Sequence, residues 1–254
     1  HRVDRRQRQM CIRDRDIPNL SGMVAPQKIR VDISACYGLD YEGARNRAVE
    51  EALSNPAITH LFFVDDDILL PLNAIERLID YNLPIVSGVY CKKNPTLESV
   101  VSYITEDEQY VFGNQMLKPD LNNLTPVKVG CVGLGMAMVE TQVFKRYPDL
   151  RKFQFIHETN PDGTKGRCLI GEDSLFVQRA AQLGIPTFAV PGIVGVHVDF
   201  KTGNYYAPPE IVDPATRVLR KHWEEHYTKM ACDPKELAAA DVVDVFGMAK
   251  NVVR

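Results

Sequence analysis

The sequence lacks any run of ~18 to 20 apolar residues, the length that a membrane-spanning helix needs. Its longest candidate, Val127 to Val139, is interrupted by Lys128 and by Gly130, Gly133 and Gly135. None of its six cysteines (11, 36, 91, 131, 168, 232) pairs with another at CxxC spacing, which removes zinc-ribbon and thioredoxin-like readings. Scattered cysteines in apolar surroundings, such as Cys131 in VGCVGLG, read instead as buried thiols of a reducing compartment, so a cytoplasmic location is expected. Net charge is small at -3, and no internal repeat is visible. With 45% hydrophobic and 25% charged residues, the composition excludes disordered and fibrous architectures and reads as a soluble globular chain.

The small net charge hides an uneven distribution. The first 15 residues carry six arginines against Asp4 and Asp14, a balance of +4, which leaves the remainder at -7. A basic arm of this kind reads as a nucleic-acid tail or a targeting segment. No apolar stretch follows these arginines, however, and RRQRQMCIRDR reads as a non-native tail, so residues 1–15 are assigned no function. The acidic body is unsuited to non-specific binding of a phosphate backbone.

The remaining segments alternate as an α/β domain does. Residues 28–35 alternate and predict a strand. Residues 40–53 predict a helix, with Tyr41, Ala44, Ala48 and Ala52 at spacings of three and four, stopped by Asn55-Pro56. The runs 58–64 and 84–90 are short and almost wholly apolar, as strands covered on both faces are. Between them Pro71 opens a helix to Tyr81. Residues 127–139 predict one long strand whose glycines permit a close approach from one side. A short helix follows at 140–147, then a loop or hairpin over 148–170 around Asp162-Gly163. A helix over 172–183 ends at Gly184, and strands follow at 186–190 and 193–198. Asp213-Pro214 and Asp233-Pro234 each set a capping acid before a first-turn proline, and Glu236 completes a capping-box-like signal. Val218, Leu219, Trp223 and Tyr227 form one apolar stripe there. Residues 207–254 are therefore expected to be helices that pack back on the domain or on another subunit.

Three places carry chemistry. Asp65-Asp66-Asp67 directly follows the buried run LFFV, at the strand end where open α/β sheets bind ligands. Three adjacent carboxylates need a compensating charge. In an extended segment Asp65 and Asp67 point the same way, and two hard oxygens with a diphosphate suit Mg²⁺ or Mn²⁺. The plainer reading is an acidic turn favoured by a helix dipole. Gly171-Glu172-Asp173 opens an apolar helix, where acids stabilise the first turn without further function or serve as a general base for an acceptor hydroxyl. His197, in GVHVD, is either an ordinary packed histidine or the imidazole that completes a facial O,O,N set with the two aspartates.

Taken together, GARNRAVEEAL (43–53), LFFVDDDILLP (61–71), VGCVGLGMAMV (129–139), GEDSLFVQRAAQLGIPTFAVP (171–191) and GVHV (195–198) resemble the GT-A-fold glycosyltransferases of the small, family 2-like, nucleotide-sugar-dependent type. The likeness covers roughly residues 17 to 206. It implies a GT-A-like, mixed but mostly parallel, Rossmann-like sheet flanked by helices over residues 16–206, with a C-terminal helical appendage. It implies further that Asp65 and Asp67 form the DxD motif for metal and donor diphosphate, with Asp66 beside them and Asp67 as the nearest ligand. Arg45 and Asn46 would match the ARN motif beside the nucleotide, and His197 would be a metal ligand. Asp173, with Glu172, would be the acid on the acceptor side. Ile17-Pro18-Asn19 stands where the family carries an Ile-Pro-Thr that contacts the base, which makes Pro18 a nucleotide contact. Lys201, Tyr205 and Tyr206 in FKTGNYY read as a flap over the donor or as an exposed loop.

The implied activity is metal-dependent transfer of a sugar from a nucleotide-diphosphate donor to an acceptor hydroxyl on a glycan, lipid, protein or small molecule. Two alternatives stand beside it. A haloacid-dehalogenase-like phosphatase also places DxD after an apolar strand, although here that strand lies far from the start. A non-catalytic nucleotide-sugar-binding module could keep the fold without the reaction.

Overall fold

The apolar and alternating runs become strands at nearly the positions that their patterns predict. In a computed structural model that describes residues 8–16, 29–72, 74–104 and 115–223, the chain opens with β1 (Arg8–Asp16), β2 (Arg30–Tyr37) and α1 (Tyr41–Ser54). It continues through β3 (His60–Asp65), β4 (Ile68–Leu69), α2 (Ala74–Asp80) and β5 (Ile85–Val89). Next come β6 (Val127–Val129), β7 (Met136–Glu140), α3 (Thr141–Arg146) and a 3-10 turn at Pro148–Arg151. The described part closes with β8 (Ile156–Thr159), β9 (Lys165–Ile170), α4 (Glu172–Gln182), β10 (Thr187–Val194), β11 (Val196–Asp199) and β12 (Asn204–Tyr206).

Seven strands form the main sheet in the order β2-β1-β3-β7-β5-β10-β6. Period-2 alternation sorts its side chains onto two faces. Leu61 and Phe63 join one buried cluster with Ala48, Val49, Phe144, Phe176 and Val177, from α1, α3 and α4. Phe62 and Val64 join the other with Ala74 and Leu78 of α2. Helices cover both faces, which is why LFFV is apolar without interruption. The chain is thus an α/β protein with a mixed sheet.

The expectation of a mostly parallel sheet is corrected. Within the seven-stranded sheet only β5 and β10 pair in parallel; the other neighbours are antiparallel. The reason lies in which strands interleave. β2, β3, β5 and β10 all run the same way, as strands linked through helices do. β1 sits between β2 and β3, and β7 sits between β3 and β5, each running opposite. The segment set apart as a tail thus contributes the second strand of the sheet.

Two further expectations change. The single strand predicted over 127–139 is two strands on different neighbours: β6 pairs with β10, and β7 lies between β3 and β5. The chain crosses between them through Gly130 to Gly135, where Gly130 and Cys131 bond to Ser102 instead of continuing a ladder. A helix was expected to start at Asp213-Pro214, but Asp213 caps a turn, its Oδ1 accepting from the N–H groups of Ala215 and Thr216. Leu219 and Trp223 pack on a third cluster around Val196 and Ile211, whereas Val218 is exposed. Tyr227, Asp233-Pro234 and Glu236 lie outside the described residues. No helix among the described residues is long and apolar enough to cross a membrane.

Candidate functional site

The co-directional strands β2, β3, β5 and β10 carry their carboxyl ends to one side of the sheet, the side where α/β proteins place ligands. β2 leads to α1 with Tyr41, Arg45 and Asn46. β3 leads to the three aspartates, β5 to Tyr90, Cys91 and Lys93, and β10 to His197 on β11. A two-residue strand does the fine positioning. β4 pairs with β11, setting Ile68 against His197, and Val198 N–H donates to Asp67 O at 2.8 Å.

Asp67 therefore meets His197, with 3.4 Å between Oδ1 and Nε2. Nδ1 of His197 lies 2.9 Å from the carbonyl of Cys91. A carbonyl only accepts, so Nδ1 carries the proton, and Nε2 is left to face the carboxylate. The other carboxylate oxygen, Oδ2, accepts from Lys93 Nζ at 2.6 Å. Burial pushes the Asp67 carboxyl up, but His197 and the Lys93 ammonium beside it outweigh this and hold the group below its ordinary range.

Beside this open group lies a buried one. Arg45, almost fully enclosed on α1, pairs through Nη1 with Glu172 Oε1 at the start of α4, and its Nη2 lies 3.6 Å from Asp65 Oδ1. Its Nε is buried without a hydrogen-bond partner among the described residues. The Tyr41 ring lies 5.7 Å from the guanidinium, and its hydroxyl is pushed up to about 12 by burial, with Asp65 and Asp67 adding to the rise. Burial likewise raises the Asp173 carboxyl, although Arg45 pulls it down. Asp173 keeps a partly exposed face, and its Oδ1 accepts from Ser174 N–H at 2.7 Å. Gly135 permits the close approach that the glycine pattern predicted. A Cβ there would lie 2.7 Å from both Asp65 Oδ2 and Tyr90 Oη, and Gly135 N–H donates to that same Tyr90 oxygen at 3.1 Å.

The structure thus brings Asp65, Asp67, Glu172, Asp173, Arg45 and His197 to one side of the sheet in two groups. Asp66 is exposed in the turn between β3 and β4. Asn46 turns elsewhere: its amide donates to Phe153 O at 3.1 Å and accepts from Phe153 N–H at 2.7 Å. Phe153 in turn stacks on Phe176 at 5.0 Å between ring centres, so Asn46 ties α1 to α4. Pro18 lies outside the described residues. Tyr205 and Tyr206 belong to β12, which pairs with β11, and Lys201 is exposed in the turn before it.

The three-ligand set of Asp65, Asp67 and His197 is corrected. Asp66 and Asp67 form a turn rather than extended strand, so Asp65 faces Arg45 while Asp67 faces His197. Among the described residues no three His, Cys, Asp or Glu side chains are grouped to hold a metal ion. The remaining oxygen–nitrogen pair of Asp67 and His197 fits Mn²⁺ better than Mg²⁺, which prefers oxygen ligands alone; either ion would complete its shell with phosphate and water. Sequence reasoning missed Lys93, Tyr90 and the Cys91 carbonyl. Their signal was positional, since YCKK follows a buried strand that ends on the same side as LFFV.

Compared with known proteins, the chain matches no family model and no curated protein. Among the solved structures that match is the crystal structure of A197 from STIV, with 17% identity and a TM-score of 0.42, covering 66% of this chain and 75% of that one.

Proposed function

We propose that the chain is a GT-A-type glycosyltransferase that moves a sugar from a nucleotide-diphosphate donor to an acceptor hydroxyl, with a divalent cation held by Asp67 and His197. One observation carries this reading: His197 is oriented by the Cys91 carbonyl so that Nε2 faces the Asp67 carboxylate at the ligand side of the sheet. Two electron-pair donors so disposed call for a cation between them. When bound, Mn²⁺ or Mg²⁺ supplies Lewis-acid stabilisation of the charge that develops on the departing diphosphate.

The chain's own residues supply the remainder. Arg45 lies between Asp65 and Glu172 and balances the charge of both acids. Asp173, raised by burial and fixed by the Ser174 N–H, takes the proton of the acceptor hydroxyl. Its partly exposed face leaves that proton within reach. Asn46 acts by positioning, since it holds the helix that carries Arg45.

Calorimetric titration of UDP and GDP into wild type and Asp67→Ala, with and without Mn²⁺, tests the reading. The expected result is binding of at least one nucleotide by wild type in Mn²⁺ alone, lost to below detection in Asp67→Ala. Equal binding by the two proteins overturns it. Turnover of p-nitrophenyl phosphate without sugar transfer would assign the site to a phosphatase instead.

A further inference from the structure

Lys92 and Lys93 leave β5 together and part company at once. Lys92 pairs with Glu98 in the open, at 3.1 Å, as surface lysines do. Lys93 turns inward and places Nζ 2.6 Å from Asp67 Oδ2. Its ammonium thus occupies one oxygen of the carboxylate whose other oxygen faces His197 Nε2. The same short segment supplies the Cys91 carbonyl that orients the imidazole. One stretch of chain therefore controls both halves of the cation-binding pair.

An ammonium and a divalent ion on one carboxylate repel each other, so Lys93 stands in the way of the metal. The contact is also weak enough to exchange, because both partners keep about a quarter or more of their side-chain surface in solvent. We infer that Lys93 is an exchangeable counter-cation of Asp67: it competes with the divalent ion for the carboxylate, and it transfers to the ligand's phosphates when a diphosphate enters the site. This rests on the reading of Asp67 and His197 as the cation site. It adds to that site the residue that hands over between the empty and the diphosphate-bound state, Lys93. Metal alone must displace Lys93 without compensation, whereas metal with diphosphate gives the ammonium a new anion. The two ligands thereby reinforce each other's binding.

The experiment compares the full chain with Lys93→Met, which keeps the aliphatic stem, using Mn²⁺ alone and pyrophosphate in saturating Mn²⁺. Free Mn²⁺ is read by electron paramagnetic resonance and pyrophosphate binding by calorimetry. The expected result is a pair of opposite changes of about fivefold or more: tighter Mn²⁺ alone and weaker pyrophosphate. Lys93→Gln must show the same pair, and Lys93→Arg must restore pyrophosphate binding. If wild type binds both probes and the neutral variants weaken both together, or change neither, Lys93 only braces its loop and the inference falls while the cation site stands. If wild type binds Mn²⁺ no better than Asp67→Ala does, the cation site falls and takes the inference with it.

Discussion

Two carboxylate–cation groups lie side by side beyond the carboxyl ends of the co-directional strands, and they differ chiefly in solvent. In the first, the Arg45 side chain is 3% exposed, with Glu172 at 7% and Asp65 at 19%. In the second, Lys93 is 31% exposed, Asp67 26% and His197 17%. Similar charges carry opposite consequences in the two settings. Removing one partner of a buried pair strands the other without water, so the group is fixed. A half-open pair is worth ~0–1 kcal/mol, so its partners can be traded for a ligand. The enclosed group is suited to stay fixed and the open one to exchange its partners.

Four substitutions sharpen or break that contrast. Arg45→Met has the largest expected effect, a loss of ~3–5 kcal/mol in urea unfolding, because Glu172 is left buried without its cation; a loss below ~1 kcal/mol would show that other groups balance these acids. Gly135→Ala follows, at ~1–3 kcal/mol, because the new methyl group meets Asp65 and Tyr90, and Tyr90 is buried. Wild-type stability in that variant would mean that the two side chains move aside.

Asp173→Asn is expected to stabilise the protein, and the sign depends on pH. Burial raises the folded carboxyl above its ordinary 3.8, so the folded chain holds this proton longer than the unfolded chain does. Wild-type stability therefore falls as pH rises from that ordinary value through the raised one, and the asparagine escapes this penalty. Urea titrations should show the variant ahead at neutral pH, with its advantage gone below the ordinary carboxyl value. A pH-independent difference counts against the assignment. Lys93→Met belongs at the small end, within ~1 kcal/mol of wild type, since its effect is on ligands. A larger loss would place Lys93 with the scaffold.

The sequence made the strands and the site's carboxylates readable, for reasons that also set the limits. LFFV and PIVSGV announced doubly covered strands, and the helix between them implied a common direction, which the structure bears out. MAMV has the same apolar pattern, so nothing local distinguished an antiparallel insertion from another parallel strand. Asp67 was conspicuous because like charges cluster rarely after an apolar run. Its meeting with His197 was expected as part of a three-ligand set, but what brings the two together was not legible, because β4 at two residues is too short for any periodicity. Arg45 and Glu172 meet across 127 residues of chain, a partnership that spacing cannot disclose. Lys93 was hidden by ordinariness, since a lysine after a strand reads as a solvated charge.

The hairpin of β8 and β9 pairs only with itself, outside the main sheet, and delivers the chain directly to Glu172 and Asp173. Evolution can therefore lengthen or replace it cheaply: doubling a surface loop costs only ~0.6 kcal/mol in closure entropy. Changes of length and sequence have room to accumulate there, while the strands that anchor the charged groups stay untouched.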